Sequence, residues 1–509
     1  MSRCMLGILL SLTVAASSIG HAEAADVKYQ TVYATTADEV INFMIFSQKT
    51  HQPVQIRLAP GRYIFSARAF NSTYDASALP VVSTAIQIIG RDPANTTFEI
   101  AASLRFFTVL KTGNLSIYNL TLTGGSDMCI MNDCSKIGGG VAYNAGGELD
   151  FHNCVLTENV GFAMDGSQYA GGGAILNLAG HFLLDRTTVT DNGGLNSGGA
   201  VTMLGGTGSI WNSTISANRA TPGSNRVTTT FAGGIFVSGN ASLYITGSTI
   251  SGNYLRMKAN YNSFAFGGGI YNAGTTTLIN SAVTENHVAP DYERDGHAPG
   301  AGGGILNGGR MSIQNSTVGG NSVGTLGGGI YNSGELQLQG VTISGNFVWG
   351  ENGDVFRDGF PPGCGDEAPE LCVSGGGGIW NDAKVTVMQS AMGANEGEDC
   401  HGMLVSKGRN AIGNSLNCTL TPSPWLGGRP TRDLVNLDVR LGELQDDGVA
   451  GNVHYPLLAD SPLIDAGGNV GVFCTAADQI GQRRVDGDVN KDGVNICDIG
   501  AIEYQPPHH

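Results

Sequence analysis

The densest run of oxygen-bearing side chains lies near the C-terminus, in the segment DGDVNKDGVNICD at residues 486–498. Its alternating ligands are Asp486, Asp488, Asn490 and Asp492. Oxygens at this spacing, followed by Gly493, match the first half of a calcium-binding loop. The segment is one residue short of that pattern and has no flanking helix. The sequence therefore predicts either a structural Ca²⁺ site or a turn closed by a disulfide between Cys474 and Cys497.

Aromatic and charged residues are concentrated in four segments between residues 219 and 375. The candidate ligand-binding residues are Arg256, Lys258, Tyr261, Tyr292, Arg294, Trp349, Phe356 and Arg357. Aromatic faces can stack on sugar rings, and guanidinium groups can bind their polar substituents. The alternative is that these segments pack on one another, with the aromatic rings forming small cores of their own.

Catalysis at the same place would depend on carboxylates and a histidine. A lyase needs a base and a positive group that stabilises the developing charge, whereas a hydrolase needs paired carboxylates at a defined separation. The candidate catalytic residues are Asp291, Glu293, Asp295, His297, Asp354 and Asp358. The stretch EDCHG at residues 398–402 also pairs an acid with a histidine, but we interpret it as structural.

The cysteines indicate disulfides. Neighbouring cysteines suggest four pairs, although the sequence does not determine the connectivity. The suggested pairs are Cys129–Cys134, Cys364–Cys372, Cys400–Cys418 and Cys474–Cys497. Cys154 is left over, and its position in the repeat predicts a buried thiol rather than a nucleophile. Zinc is disfavoured, because these pairs lack CxxC spacing and have no nearby pair of histidines.

These segments are positioned by a repeat: a glycine pair or triplet, an apolar residue and, after one short strand-rich stretch, an asparagine. The closing asparagines are Asn159, Asn192, Asn218, Asn253, Asn286, Asn321, Asn346 and Asn395. The positions three, eight and ten residues before each of them are apolar, with Gly208 and Thr276 as exceptions. This pattern predicts a parallel β-helix, an all-β solenoid with three short strands per coil.

The corners of each coil are expected to use glycine and asparagine. Glycine suits tight corners where a Cβ atom would clash, and asparagine tolerates the left-handed conformation. We therefore expect the closing asparagine to take that conformation and its amide to hydrogen-bond along the stack. All extra length falls between the asparagine and the next glycines, so the insertions should leave the solenoid along one edge.

The ends of a solenoid need covers. Thr36 and Glu39 read as a helix capping box, with an apolar helix over residues 40–47 as the N-terminal cap. We divide the chain into a signal peptide at 1–24, the cap and first coils at 25–125, regular repeats at 126–418 and a C-terminal capping region at 419–509. The signal peptide follows from Arg3, an apolar run and a small-residue cleavage site.

Composition and charge restrict the partners. The chain has 509 residues, 77 of them glycine, with 14% charged residues and a net charge of −16. Such a charge disfavours nucleic acid and anionic membranes as partners. No later stretch has the length of a membrane-spanning helix. We expect an exported protein, secreted or at the cell surface.

The tail resembles a known family. Residues 461–467 (SPLIDAG), 478–483 (DQIGQR) and 497–503 (CDIGAIE) resemble bacterial secreted "choice-of-anchor Q" proteins, which have a pectin-lyase-like right-handed β-helix. The glycine phrase GGGI is also similar to repeats of polymorphic outer-membrane proteins. The resemblance implies a fold and a location, without implying one activity.

These observations lead to three hypotheses about function. The first is a non-catalytic, exported β-helix protein whose loop-lined edge binds glycans or other surface partners. The second is a polysaccharide lyase or glycoside hydrolase with its site among residues 254–360. The third is a structural component of the cell envelope.

Overall fold

The computed structural model describes residues 27–67, 77–127, 138–162, 171–222, 229–257, 264–290, 300–348, 375–484 and 496–505. The chain folds as a right-handed parallel β-helix, as the repeat and the family resemblance predict. Strands stack coil upon coil, and every pairing between the described strands is parallel except one, between Gly468–Asn469 and Ile496–Cys497. Four columns of strands run along the solenoid.

The first column holds the strands of the glycine phrase: Phe107–Leu110, Val201–Met203, Ile235–Val237, Ile270–Asn272, Ile305–Asn307, Ile330–Asn332 and Ile379–Asn381. The second column holds Gln30–Ala34, Val54–Leu58, Ala85–Ile89, Asn114–Tyr118, Gly206–Trp211, Ala241–Thr246, Thr275–Ile279, Lys384–Met388 and Asn417–Pro422. Three long strands, Ala142–His152, Ile175–Asp185 and Cys400–Ser406, contribute to both columns.

The third column precedes the closing asparagines and holds Gly61–Phe65, Thr96–Ile100, Thr121–Thr123, Val155–Thr157, Thr188–Thr190, Thr214–Ser216, Thr249–Ser251, Ala282–Thr284, Ala391–Gly393, Ala411–Ile412 and Leu434–Val435. Arg310–Gly319 and Glu335–Ser344 span the second and third columns. The fourth column holds Ser126–Asp127, Val160–Gly161, Gly193–Leu195, Arg219–Thr221, Tyr254–Met257, His287–Pro290, Ser322–Val323 and Phe347–Val348. Three strands continue beyond it: Thr229–Phe231, Phe264–Phe266 and Gly300–Ala301.

The inward positions agree with the sequence pattern. The apolar residues three, eight and ten positions before each closing asparagine are all buried, and they form one continuous core. Both exceptions have a physical reason. A Cβ atom on Gly208 would collide with the ring of Phe182 in the preceding coil. The Thr276 hydroxyl donates a hydrogen bond to Asn272 Oδ1 over 2.9 Å.

The closing asparagines form a continuous hydrogen-bonded ladder. Asn286 Nδ2 donates to Asn321 Oδ1 (2.9 Å), and Asn286 Oδ1 accepts from Asn253 Nδ2 (2.9 Å) and from the Asn253 backbone N–H (3.0 Å). The same pattern runs from Asn159 to Asn395, where the Asp399 carboxylate accepts the last bonds. The predicted bonding of the amides along the stack is therefore confirmed.

Two expectations about the coil are wrong. The left-handed conformation belongs to the residue before each closing asparagine, as at Glu158, Asp191 and Glu285. A coil also has a fourth short strand after the asparagine, which the variable insertions hide in the sequence. This strand has its own small core of Ala220, Leu255, Val288 and Val323.

The N-terminal cap is the predicted helix, α1, which extends further than expected, over Ala37–Thr50. The Thr36 hydroxyl accepts from the Glu39 backbone N–H, and the Glu39 carboxylate accepts from the N–H groups of Thr35 and Thr36. The capping box is thus confirmed. Val40 and Met44 are buried against the first coils and close that end of the core.

The C-terminal region begins as a cap and then turns back along the solenoid. Residues 417–422 and 434–435 add the last rungs, and Pro424–Leu426 forms a 3₁₀ turn. Residues 451–484 and 496–501 then lie against the corner between the second and third columns. At one end of this contact, the Gly500 N–H donates to the Gln389 carbonyl over 3.0 Å. At the other end, the Gly451 N–H donates to the Thr249 hydroxyl over 2.8 Å.

A buried charge cluster, the C-terminal clasp, fastens this region. It consists of Asp478, Arg484, Asp498 and Glu503. The Arg484 side chain is fully buried and donates to Glu503 Oε2 (3.2 Å) and to the Gly500 carbonyl (2.8 Å). Asp478 accepts from the Glu503 N–H over 3.0 Å. The residues of the tail that resemble those of secreted proteins therefore stabilise the packing of the C-terminal region.

The clasp should make stability depend on pH. Burial, followed by the nearby Asp498 carboxylate, raises the pKa of Glu503 to about 8. Because this folded-state pKa lies above the ordinary value, Glu503 contributes most stability at acidic pH and loses it as pH rises towards 8. We predict that Glu503→Gln removes this loss, so that the variant gains stability relative to wild type between pH 5 and pH 9, by on the order of a few kcal/mol.

Thermal unfolding at each pH measures the difference. Glu335→Gln is the matched control, because ion pairing with Lys384 lowers the pKa of this glutamate and its titration falls below the tested range. Parallel curves for wild type and Glu503→Gln would contradict the prediction.

Candidate functional site

Most of the predicted edge residues lie outside the described residues: Lys258, Tyr261, Asp291, Tyr292, Glu293, Arg294, Asp295, His297, Trp349, Asp354, Phe356, Arg357 and Asp358. Arg256 is described, and it lies in the strand Tyr254–Met257 in register with Ala289. The strands that border the insertions stack in register, as Phe231 on Phe266 and Phe266 on Ala301 show. The insertions in these coils therefore leave and rejoin the solenoid at equivalent positions.

The described aromatic rings at this edge pack on one another. The Phe231 and Tyr271 ring centroids are 4.8 Å apart, and those of Phe236 and Tyr271 are 5.3 Å apart. Phe231 and Phe236 are buried, while Phe264 is 44% exposed. This arrangement favours the alternative that the sequence left open, in which the rings form a small core.

A second surface brings together more side chains capable of chemistry. In the second column, alternate residues point outward, and parallel pairing places equivalent residues directly above one another. One such line, here called the outer row, consists of Tyr33, Arg57, Ile89, Tyr118, His152, Asp185 and Trp211. Six strand spacings of about 4.8 Å give it a length of about 29 Å.

The centre of the outer row is an acid–base cluster. The His152 ring stacks on Tyr118 with centroids 4.6 Å apart and planes 6° apart. His152 Nδ1 lies 3.2 Å from Asp185 Oδ2, which also accepts from Arg186 Nη2 at 2.7 Å. A carboxylate that fixes an imidazole in this way is a common arrangement for general acid–base catalysis. The cluster therefore contains the residue types and the contact that general acid–base catalysis uses.

Tyr118 adds a hydrogen-bond donor to this cluster. Burial is the main cause that raises the pKa of Tyr118, and the Asp150 carboxylate raises it further. The phenol therefore stays protonated at neutral pH. Ser116 Oγ donates to Asp150 Oδ2 over 3.4 Å, which holds that carboxylate beside the row.

A pocket opens at the N-terminal end of the outer row. Its volume is about 420 Å³. The polar part of its lining comes from Tyr33, Thr35, Arg57 and Arg91. Tyr33 is 73% exposed, and Trp211 at the opposite end of the row is 36% exposed. The row thus runs between two accessible aromatic rings.

The other end of the outer row is set by the C-terminal region. That region covers the corner between the second and third columns. It packs on this corner at Gly247, where Gly451 is in contact, at Asn315 and at Gln389. Trp211 and Asn212 belong to the coil just before this covered stretch. The C-terminal region therefore covers this side of the solenoid in the later coils, and the outer row occupies it in the earlier coils.

The EDCHG stretch is part of the packing of the last coils. The His401 ring lies 3.7 Å from that of Trp380, and Glu398 Oε1 accepts from the Gly376 N–H (3.2 Å). Asp399 terminates the asparagine ladder, and Cys400 forms a disulfide. Each residue thus has an internal role, in agreement with the structural interpretation.

Two disulfides are confirmed, Cys400–Cys418 and Cys474–Cys497. Cys129, Cys134, Cys364 and Cys372 lie outside the described residues. Cys154 is a buried free thiol, and burial raises its pKa to about 12. Its sulfur contacts the His152 carbonyl at 3.3 Å, as the Ser213 hydroxyl contacts the Trp211 carbonyl in a later coil.

The proposed calcium ligands, Asp486, Asp488, Asn490 and Asp492, also lie outside the described residues, so Ca²⁺ remains a proposal. Within the described ranges, no three His, Cys, Asp or Glu side chains are grouped so as to hold a metal ion. In that same part of the chain, no helix is long and apolar enough to cross a bilayer.

Two solved structures resemble the chain. The Azotobacter vinelandii mannuronan C-5 epimerase AlgE4 A-module matches over 80% of this chain and 98% of its own, with 11% identity and a TM-score of 0.34. The catalytic domain of a GH87 alpha-1,3-glucanase, in complex with tetrasaccharides, matches over 81% of this chain and 68% of its own, with 12% identity and a TM-score of 0.30. No family model and no curated protein matches the chain. At these TM-scores, neither a site nor an activity carries over to this protein.

Proposed function

We propose that this protein binds an extended polysaccharide along the outer row. The observation that carries the proposal is the row itself, in which seven side chains follow one another at one strand spacing, from the exposed ring of Tyr33 to that of Trp211. Aromatic faces stack on the apolar faces of sugar rings, and polar side chains between them bind hydroxyl groups. A repeating surface suits a ligand that itself repeats.

The environment of the protein is consistent with such a ligand. Disulfides such as Cys400–Cys418 persist in oxidising compartments, where extracellular polysaccharides are found. The net charge of −16 disfavours nucleic acid, the other common extended polymer. We therefore propose an exported protein that acts at a glycan-rich surface. The loop edge at residues 254–360 is the competing location for the ligand.

Single substitutions distinguish the two locations. We predict that Trp211→Ala and Tyr33→Ala each weaken polysaccharide binding roughly two- to tenfold, because each removes one stacking platform. Phe264→Ala is the matched control, since this ring is similarly exposed but lies at the loop edge. Affinity electrophoresis with a panel of soluble polysaccharides measures the change. Loss of binding in Phe264→Ala alone would place the ligand at the loops, and retention of no polysaccharide would favour a purely structural envelope component.

A second candidate function is cleavage of the bound polysaccharide. The contact between His152 and Asp185 favours it, because it supplies an oriented acid–base group midway along the row. Binding on both sides of this histidine would place a glycosidic linkage or a ring proton beside it. This site differs from the loops at residues 254–360, where the sequence analysis had placed the chemistry.

If the protein cleaves its ligand, His152→Asn should lower the rate by about a hundredfold or more, the usual contribution of a general acid or base. Binding should change little, because the outer aromatic rings remain. His181→Asn is the control, since His181 lies on the next strand and bonds to Thr207 instead. Unsaturated uronates and new reducing ends report the products. Cleavage unaffected by His152→Asn would exclude this cluster, and absence of cleavage in wild type would leave binding as the function.

A further inference from the structure

The pocket at the N-terminal end of the outer row has an unusual charge. Arg57 and Arg91 line it, and no carboxylate side chain contributes to its lining. The whole chain has 43 acidic and 27 basic residues, so a cationic pocket stands out against an acidic background. A local potential opposite to that of the whole protein favours ligands of the sign that the protein otherwise repels.

The two guanidinium groups are weakly neutralised. Arg57 Nε donates to Gln55 Oε1 over 3.0 Å, a neutral acceptor that fixes the side chain without cancelling its charge. Among the described residues, Arg57 forms no ion pair. Arg91 is 69% exposed, and its Nε lies 3.8 Å from Asp92 Oδ2, near the limit of an ion pair. By contrast, Arg186 and Arg440 lie 2.7 Å and 2.6 Å from their carboxylate partners.

The carboxylate that bonds to the pocket-lining residue Thr35 has another role. Glu39 Oε2 accepts from the Thr35 N–H (2.7 Å), the Thr35 hydroxyl (3.0 Å) and the Thr36 N–H (3.2 Å). These bonds hold Glu39 at the N-terminus of α1, where its charge compensates the helix dipole. Its hydrogen bonds are therefore made to the helix cap, and Arg57 donates to Gln55 instead.

We propose that this pocket binds an anionic group on a sugar of the polysaccharide that occupies the outer row, a proposal that rests on the proposed function. Guanidinium groups bind planar or tetrahedral oxyanions through paired N–H donors. The carboxylate of a uronate and a sulfate ester both fit this chemistry. Tyr33, which lines the pocket and begins the row, would contact the same sugar through its ring.

Matched polymers test the charge requirement. Dextran and dextran sulfate share a backbone and differ in sulfation, whereas polygalacturonate and its methyl ester share a backbone and differ in free carboxylates. We expect the protein to bind at least one charged member at least about tenfold more tightly than its neutral partner, because hydrogen bonds from guanidinium groups to an anion are stronger than those to a neutral acceptor. The pair that shows the difference identifies the anion. Equal affinity within both pairs would overturn the proposal.

Substitutions assign the effect to the pocket. Arg57→Gln combined with Arg91→Gln should abolish the preference for the charged polymer, so that the charged and the neutral member of the pair bind equally. Arg429→Gln is the control, because this exposed arginine lies between the last two rungs, at the opposite end of the solenoid. An unchanged preference in the double variant would contradict the pocket. If Trp211→Ala weakens binding while the double variant does not, the proposal for the pocket is wrong and binding along the outer row is supported. If only the double variant changes binding, the pocket binds an anionic group and the proposal that the ligand extends along the outer row to Trp211 is wrong.

Discussion

The asparagine ladder is the interaction on which the rest of the structure depends. At each corner between the third and fourth columns the backbone is buried, and its N–H and C=O groups need hydrogen-bond partners. Asn253, Asn286 and Asn321 provide them by donating to carbonyls of their own and the preceding coil and by accepting from that coil's N–H. A coil displaced by one residue would lose all of these bonds, so the ladder fixes the register of the coils that close at Asn159 to Asn395.

Fixed register gives the outer surface its order. The same residue-by-residue pairing that stacks the core also aligns Tyr118, His152 and Asp185 on the outside. The corner beside this row is shared with the C-terminal region, which the buried Arg484 holds in place. The site and the clasp are thus two uses of one repeating surface, and the coil of Trp211 lies at the boundary between them. A ligand bound along the outer row would lie in line with the C-terminal region, which covers the later coils.

Periodic and local features could be predicted from the sequence. The inward positions follow from fixed offsets before each closing asparagine, and the capping box of Thr36 and Glu39 and the two disulfides follow from short spacings. The outer row was missed, although His152, Asp185 and Trp211 share the offset of seven. Whether an outward row is exposed depends on what covers it. That is decided by contacts such as Asn315 with Thr475, 160 residues apart, which no local pattern reveals. The identity of the left-handed residue was also hidden, because asparagine suits both the corner and the ladder.

Hydrogen–deuterium exchange on Asn286→Ala tests the central role of the ladder most directly. The substitution removes the acceptor of the Asn253 N–H and the donor to the Ile250 carbonyl, and it leaves several buried groups unpaired, each costing about 1–3 kcal/mol. The account predicts that the Asn253 amide loses protection and that unfolding stability falls by roughly 3 kcal/mol or more. Asn240→Ala, at an exposed turn of the preceding repeat, should change neither. Equal and small effects of the two substitutions would contradict the account.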